Sequence, residues 1–96
     1  MTERLKRIKN QYEELCRRME EPETYSDPAV YSRCEREARE LAPLAEAYTA
    51  FEREGERMQS ALKMLHDEEL GELAQEEYQQ AKEERERLEK EIRLLL

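Results

Sequence analysis

Glycine, proline, phenylalanine and tryptophan are scarce in this chain of 96 residues, which has 2 Gly, 3 Pro, 1 Phe and no Trp. Sheet proteins and enzyme pockets need many turns, and turns are built largely from glycine and proline. A phosphate-binding loop needs several glycines close together, whereas Gly55 and Gly71 are far apart. The scarcity therefore favours long helices in one small domain and excludes a glycine-rich phosphate loop.

Long apolar runs and an excess of positive charge are also missing. No segment approaches the roughly 20 apolar residues of a membrane span, and residues 1–10 are too charged for a secretory signal. We therefore expect a cytoplasmic protein with no membrane partner. The net charge of −8 argues against a nucleic-acid surface, because phosphate contacts require clustered Lys and Arg. An acidic protein can still bind a ribonucleoprotein through protein contacts.

Residues that carry site chemistry are few, since the chain has 2 Cys and 1 His. Cys16 and Cys34 do not make a disulfide framework without a secretory signal. Cys34 has the spacing of a buried helical position, and His66 lies at a helix boundary, where it can interact with the helix dipole. The numerous carboxylates fit solvated helical faces. We therefore predict no catalytic, cofactor-binding or metal-binding residues, no cofactor and no enzymatic activity.

What the chain does contain is 44% charged residues and a long apolar pattern with helical spacing. The central stripe, counted alternately four and three residues apart, consists of Val30, Cys34, Glu37, Leu41, Leu44, Tyr48, Phe51, Gly55, Met58, Leu62 and Leu65. This spacing lies along one face of a helix and excludes a strand, whose side chains alternate with period two. The stripe keeps its phase across Pro43, so we predict one helix over 28–66, kinked where the proline lacks an amide hydrogen.

Two further helices are predicted on either side, over about 2–20 and 68–96. The apolar positions of the first are Leu5, Ile8, Tyr12, Leu15 and Met19, and those of the last are Leu70, Leu73 or Ala74, Tyr78, Ala81, Leu88, Ile92 and Leu95. Between the first two helices, Pro22 is expected to end one helix, and the side chain of Ser26 or Asp27 to cap the next, with Pro28 in its first turn.

These elements predict an all-α fold of three antiparallel helices in a single domain, 1–96, with a long kinked central helix. Pairing outward from the loops brings Leu15 to Cys34 and sets Tyr12 near Glu37. Residues 1–50 and 85–96 can form a three-helix core, whereas 51–81 form a two-helix coiled-coil hairpin whose tip, at 66–71, is expected to be the most mobile part.

The sequence makes one further prediction about the last helix and leaves one question about the central helix open. Residues 82–87 contain no apolar side chain, so packing at that level should be weak. Gly55, on the central stripe, either receives Tyr78 in a large-into-small fit or is a weak point of the helix that costs about 1 kcal/mol relative to alanine.

Three segments carry a resemblance to a known family: QYEEL at 11–15, SDPAVY at 26–31 and REARELAPLAEAY at 36–48. They resemble the N-terminal domain of bacterial class-I peptide chain release factors, and the resemblance covers essentially the whole chain. The Ser-Asp-Pro followed by Tyr and the Glu-Leu-x-Pro-Leu segment are its specific parts. Pro43 and the leucines at 94–96 favour the factor that reads UAA and UAG.

This resemblance implies an accessory interaction domain of a translation termination factor, excised from a longer protein, that helps to position the factor on the ribosome. It implies contact with the base of the large-subunit stalk, and it links the domain to the release-factor GTPase and the release-factor glutamine methyltransferase. The codon-reading loop and the Gly-Gly-Gln loop of the full-length factors are not in this chain, and no sequence-specific nucleic acid binding is implied.

Two alternatives belong to other functional classes. A free-standing structural coiled-coil or adaptor protein could dimerise through the same stripes, and an isolated domain could also form a homodimer through surface that a neighbour normally covers. An acidic mimic of nucleic acid fits less well, because its charges are mixed along every face. A Gly-Gly-Gln loop in the downstream reading frame would discriminate the first alternative.

Overall fold

The structure is a computed structural model that describes residues 2–96, and over this range it contains helices and no strand. The helices are α1 (Thr2–Met19), α2 (Pro22–Tyr25), α3 (Pro28–Lys63) and α4 (Gly71–Leu95). The predicted all-α class is confirmed, and the long central helix α3 packs against its neighbours. Helix α2 is a fourth element where three were predicted.

Contacts divide the chain into two compact units, one up to Glu46 and the other Ala47–Leu96, where the sequence predicts one domain over 1–96. The division falls within α3, whose first part belongs to one unit and whose last part belongs to the other. The three-helix core predicted from 1–50 and 85–96 stays a prediction.

The connection after α1 differs from the predicted loop, because Pro22 begins a helix there. Helix α1 closes with backbone hydrogen bonds from Glu20 to Arg17 and from Glu21 to Arg18, both 3.1 Å. Pro22 then takes the first position of α2, where its fixed φ suits a helix and its missing amide hydrogen would have had no partner. One proline therefore both prevents α1 from continuing and starts the next turn.

Helix α3 begins as the sequence predicts. The carboxylate of Asp27 accepts hydrogen bonds from the amides of Ala29 and Val30, at 3.2 and 3.4 Å, so Asp27 rather than Ser26 is the cap. The helix continues without interruption through Pro43, which confirms the continuity inferred from the phase of the central stripe. It ends at Lys63, three residues before the predicted end at 66.

The core of the first unit is the cluster of Leu15, Cys34 and Ala38, which are 5%, 4% and 6% exposed. The predicted contact of Leu15 with the Cys34 region is present. Glu37, on the central stripe, is exposed, and its neighbour Ala38 is buried instead, because burying a carboxylate without a partner is costly. The partially buried side chains packed on this cluster are Tyr12, Met19, Val30 and Leu41.

Tyr12 finds a different partner from the predicted Glu37. Its hydroxyl donates to Oε1 of Glu46 at 3.5 Å, the long limit of a hydrogen bond. The pKa of the Tyr12 phenol is raised, first by its hydrogen bond with Cys16 and then by burial and by the charge of Glu46.

The second unit is an antiparallel hairpin in which Tyr48, Leu88 and Ile92 are buried together with several alanines. Ala61, Ala74 and Ala81 are 6%, 5% and 0% exposed. Small side chains at these positions allow the two backbones to come close, as close packing requires. The sequence left open whether Leu73 or Ala74 is the buried apolar position of the last helix. It is Ala74, because Leu73 is 58% exposed.

The turn of the hairpin is organised by Asp67. Its Oδ1 accepts hydrogen bonds from the amides of Glu69 and Leu70, both at 2.9 Å, and its carbonyl accepts one from the Gly71 amide at 2.9 Å. The turn occupies 68–70, so α4 begins at Gly71 and not at 68. A Cβ on Gly71 would lie 2.8 Å from the carbonyl oxygen of Leu65, and glycine is therefore required by this close approach.

Candidate docking surface on the helical hairpin

The residues weighed as site candidates in the sequence lie in different environments. Cys34 is buried in the core of the first unit with a free thiol, as its spacing predicts. His66 is exposed in the segment after α3. Among residues 2–96, no group of three or more His, Cys, Asp or Glu side chains is arranged to hold a metal ion.

None of the helices in residues 2–96 is long and apolar enough to cross a membrane.

The hairpin carries a solvent-open groove near its tip, with a volume of about 660 Å³. We call it the hairpin groove; it is lined by Arg53, Glu54, Glu56, Arg57, Ser60, Ala61, Met64, Leu70, Leu73, Ala74 and Glu77. Three of its large apolar side chains face solvent, since Met64, Leu70 and Leu73 are 44%, 41% and 58% exposed. Ala61 and Ala74, which also line the groove, are buried, whereas these larger side chains stay at the surface.

An ion pair joins the two helices beside the groove. Nη1 of Arg57 lies 2.7 Å from Oε2 of Glu54, and Nη2 lies 2.7 Å from Oε2 of Glu77 on the other helix. The hydrogen bond with Glu77 is the main reason why the pKa of Arg57 is raised. One arginine thus pairs with two glutamates and joins α3 to α4 at this level.

Arg85 occupies the level of the hairpin where the sequence predicts weak packing. Its Cζ lies 4.0 Å from the centroid of the Phe51 ring, within the range of a cation–π contact. A Cβ on Gly55 would lie 3.3 Å from Nε of Arg85, so the glycine accommodates the arginine side chain rather than Tyr78. No residue of 82–87 is buried, since Glu84 and Arg85 are half-buried and the other four are exposed, in line with the weak packing expected there.

The environment of Arg85 has one unusual feature. Its Nε is buried and has no hydrogen-bond partner, whereas buried polar atoms normally have one. A signal was present in the sequence, because Ala81, Arg85, Leu88 and Ile92 are spaced four, three and four residues apart. Arginine can take such a position because its methylene stem packs like an apolar side chain.

The fold and the groove define the class of this protein as a small all-α domain with a helical hairpin that presents an apolar surface. Residues 8–96 match the family model described as PCRF domain, and the chain belongs to this family. The family resemblance found in the sequence is thereby confirmed.

Curated relatives agree with this assignment. The chain is 33% identical over 99 residues to peptide chain release factor 1 of Agathobacter rectalis, an alignment that covers 100% of this chain and 28% of the relative. It is 32% identical over 96 residues to peptide chain release factor 1 of Geobacter sulfurreducens, of which it covers 27%. The chain thus spans little more than a quarter of the length of these relatives. No solved structure matches the chain significantly.

Proposed function

We propose that this chain is the N-terminal accessory domain of a bacterial peptide chain release factor of the type that reads UAA and UAG. The observation that carries the proposal is the PCRF match over residues 8–96, together with relatives named peptide chain release factor 1. A chain that spans about 28% of such a relative needs further segments for the remaining steps of termination. With only 2 glycines, it contains no Gly-Gly-Gln loop, and we assign it no catalytic role.

Its role in this proposal is to position the factor on the ribosome in the cytoplasm. The site of contact is the base of the large-subunit stalk, and the release-factor GTPase and glutamine methyltransferase are further candidate partners. Two long helices joined by a short turn can present a docking surface at a distance from the parts that read the codon. The free-standing coiled-coil alternative is not favoured, because family and relatives agree on termination.

The test is a peptide-release assay on ribosomes that hold a stop codon. The 96-residue chain alone is expected to release no peptide. A chimera in which this chain replaces the matching segment of a curated relative should restore the release rate that deletion of that segment lowers. Release by the chain alone, or a chimera no better than the deletion, would contradict the proposal.

A further inference from the structure

We propose that the hairpin groove binds one amphipathic helix of a partner protein, with the apolar face of that helix in the groove and Lys or Arg side chains along its flanks. The inference goes beyond the proposed function, because it rests on the shape and charge of the hairpin alone.

The shape of the groove suits a helix. Its lining includes two small buried side chains, Ala61 and Ala74, and three large exposed apolar side chains, those of Met64, Leu70 and Leu73. The volume of about 660 Å³ lies in the range of clefts that bind ligands. A partner helix presents apolar residues at spacings of three and four, which an open groove between two helices can accept. Methionine adapts its shape to such side chains.

The charge around the groove specifies the flanks of the partner. The groove lining itself has three glutamates and two arginines, a net charge of −1. The surrounding segment, residues 52–77, contains nine acidic and three basic side chains, a net charge of −6 within the −8 of the whole chain. The acidic residues are Glu52, Glu54, Glu56, Asp67, Glu68, Glu69, Glu72, Glu76 and Glu77, and the basic ones are Arg53, Arg57 and Lys63. Arg57 is already paired with Glu54 and Glu77. Complementary charge steers a basic partner to this surface and repels an acidic one.

The same charge argues against other occupants. A second copy of this chain would bring two acidic segments, 52–77 of each copy, together, which costs free energy through like-charge repulsion. An anionic membrane surface or a nucleic acid would be repelled as well. A basic amphipathic helix is the partner whose apolar face and charge both match.

The test uses a labelled synthetic peptide of about 15 residues, with leucines along one helical face and lysines elsewhere. Fluorescence anisotropy measures its affinity for the 96-residue chain and for the variants Leu73→Asp and Leu94→Asp. Leu73 is in the groove and 58% exposed, whereas Leu94 is outside it and 89% exposed. Both variants add one negative charge at an exposed leucine, so they are matched in charge and neither should unfold the chain; circular dichroism checks this.

We expect Leu73→Asp to weaken binding about tenfold or more, as loss of an apolar anchor implies, although its added charge should attract the peptide. Leu94→Asp should bind like the unmodified chain. A peptide with glutamates in place of lysines, and a scrambled peptide of the same composition, should bind at least about tenfold more weakly.

Equal affinity for both variants, or for the ordered and scrambled peptides, would overturn the proposal, because binding would then be charge attraction without the groove. A concentration-dependent dimer in light scattering that Leu73→Asp abolishes would also overturn it in favour of a second copy. Neither result depends on peptide release by ribosomes, so the proposed function can fail or stand independently.

Discussion

Replacing Arg85 with methionine tests how the hairpin is held together at the level of Phe51. Methionine keeps an unbranched side chain in a helix that tolerates both residues well. The change removes a cation–π contact, worth about 0.5–2 kcal/mol, since Cζ lies 4.0 Å from the Phe51 centroid. It also removes a buried Nε without a partner, and such a group costs about 1–3 kcal/mol.

Loss of the cation–π contact lowers the free energy of unfolding, whereas removal of the unpaired nitrogen raises it, and the second effect is expected to be the larger. We therefore expect Arg85→Met to leave the free energy of unfolding unchanged or to raise it by up to about 2 kcal/mol. Arg85→Ala should instead lower it by about 1–3 kcal/mol, because it also removes the stem that fills the space beside Gly55.

Urea unfolding followed by circular dichroism gives these differences, provided that the m-value does not change. Arg93→Met is a matched control, since the Arg93 side chain is 66% exposed and pairs with Glu89 on the surface, where ion pairs contribute little. The reasoning is refuted if Arg85→Met lowers the free energy of unfolding by more than about 1 kcal/mol, because the charge would then be the dominant stabilising feature.

Four other predictions follow from the turns and from Tyr12. Gly71→Ala should destabilise the chain by about 1–3 kcal/mol in urea unfolding, because its Cβ would lie 2.8 Å from the Leu65 carbonyl oxygen; an unchanged midpoint would contradict this. Asp67→Ala should cost about 0.5–2 kcal/mol, since Oδ1 accepts two amide hydrogen bonds, whereas Asp67→Asn should retain most of the stability. Amides at 66–71 should exchange with deuterium faster than those in the middle of α3, and equal protection would show that the tip is not the most mobile part. The phenol of Tyr12 should ionise at a higher pH than an ordinary tyrosine, in absorbance at 295 nm with Tyr12→Phe as the reference; Cys16→Ala should bring it back towards the ordinary pKa, because the Cys16 hydrogen bond is the main cause of the shift. Since the folded-state pKa is raised, the stability linked to Tyr12 is present below about pH 10 and is lost as the pH rises through the folded pKa.

Local signals predicted much of the fold. The continuity of α3 through Pro43 followed from the phase of the apolar residues on both sides, which is a property of the helix itself. The position before Pro28 limited the cap to Ser26 or Asp27, and the structure shows that it is Asp27. Burial of Cys34 followed from its place in the pattern. The family resemblance came from short segments around the first connection, and it is confirmed over residues 8–96.

The misses lie where one residue can satisfy two local rules. Pro22 can follow the end of one helix or begin another, and the few residues from Pro22 to Tyr25 have too little periodicity to show a helix. Helix α4 begins at Gly71 and not at the predicted residue 68, because Asp67 first organises a turn. Such short-range choices depend on hydrogen bonds that a count of apolar residues does not contain.

The sequence by itself determined that this chain is helical, where its long helix runs and which family it belongs to, because periodicity, caps and motifs are properties of neighbouring residues. Only the tertiary structure decided which side chains meet the opposite helix. Ala61, Ala74 and Ala81 are buried, Leu70 and Leu73 stay exposed and line the hairpin groove, and Arg85 packs on Phe51 from a segment that has no apolar side chain. The reason is that the space between two packed helices limits the size of the side chains that can be buried there. This space is set by both helices together and cannot be read from the apolar pattern of one helix.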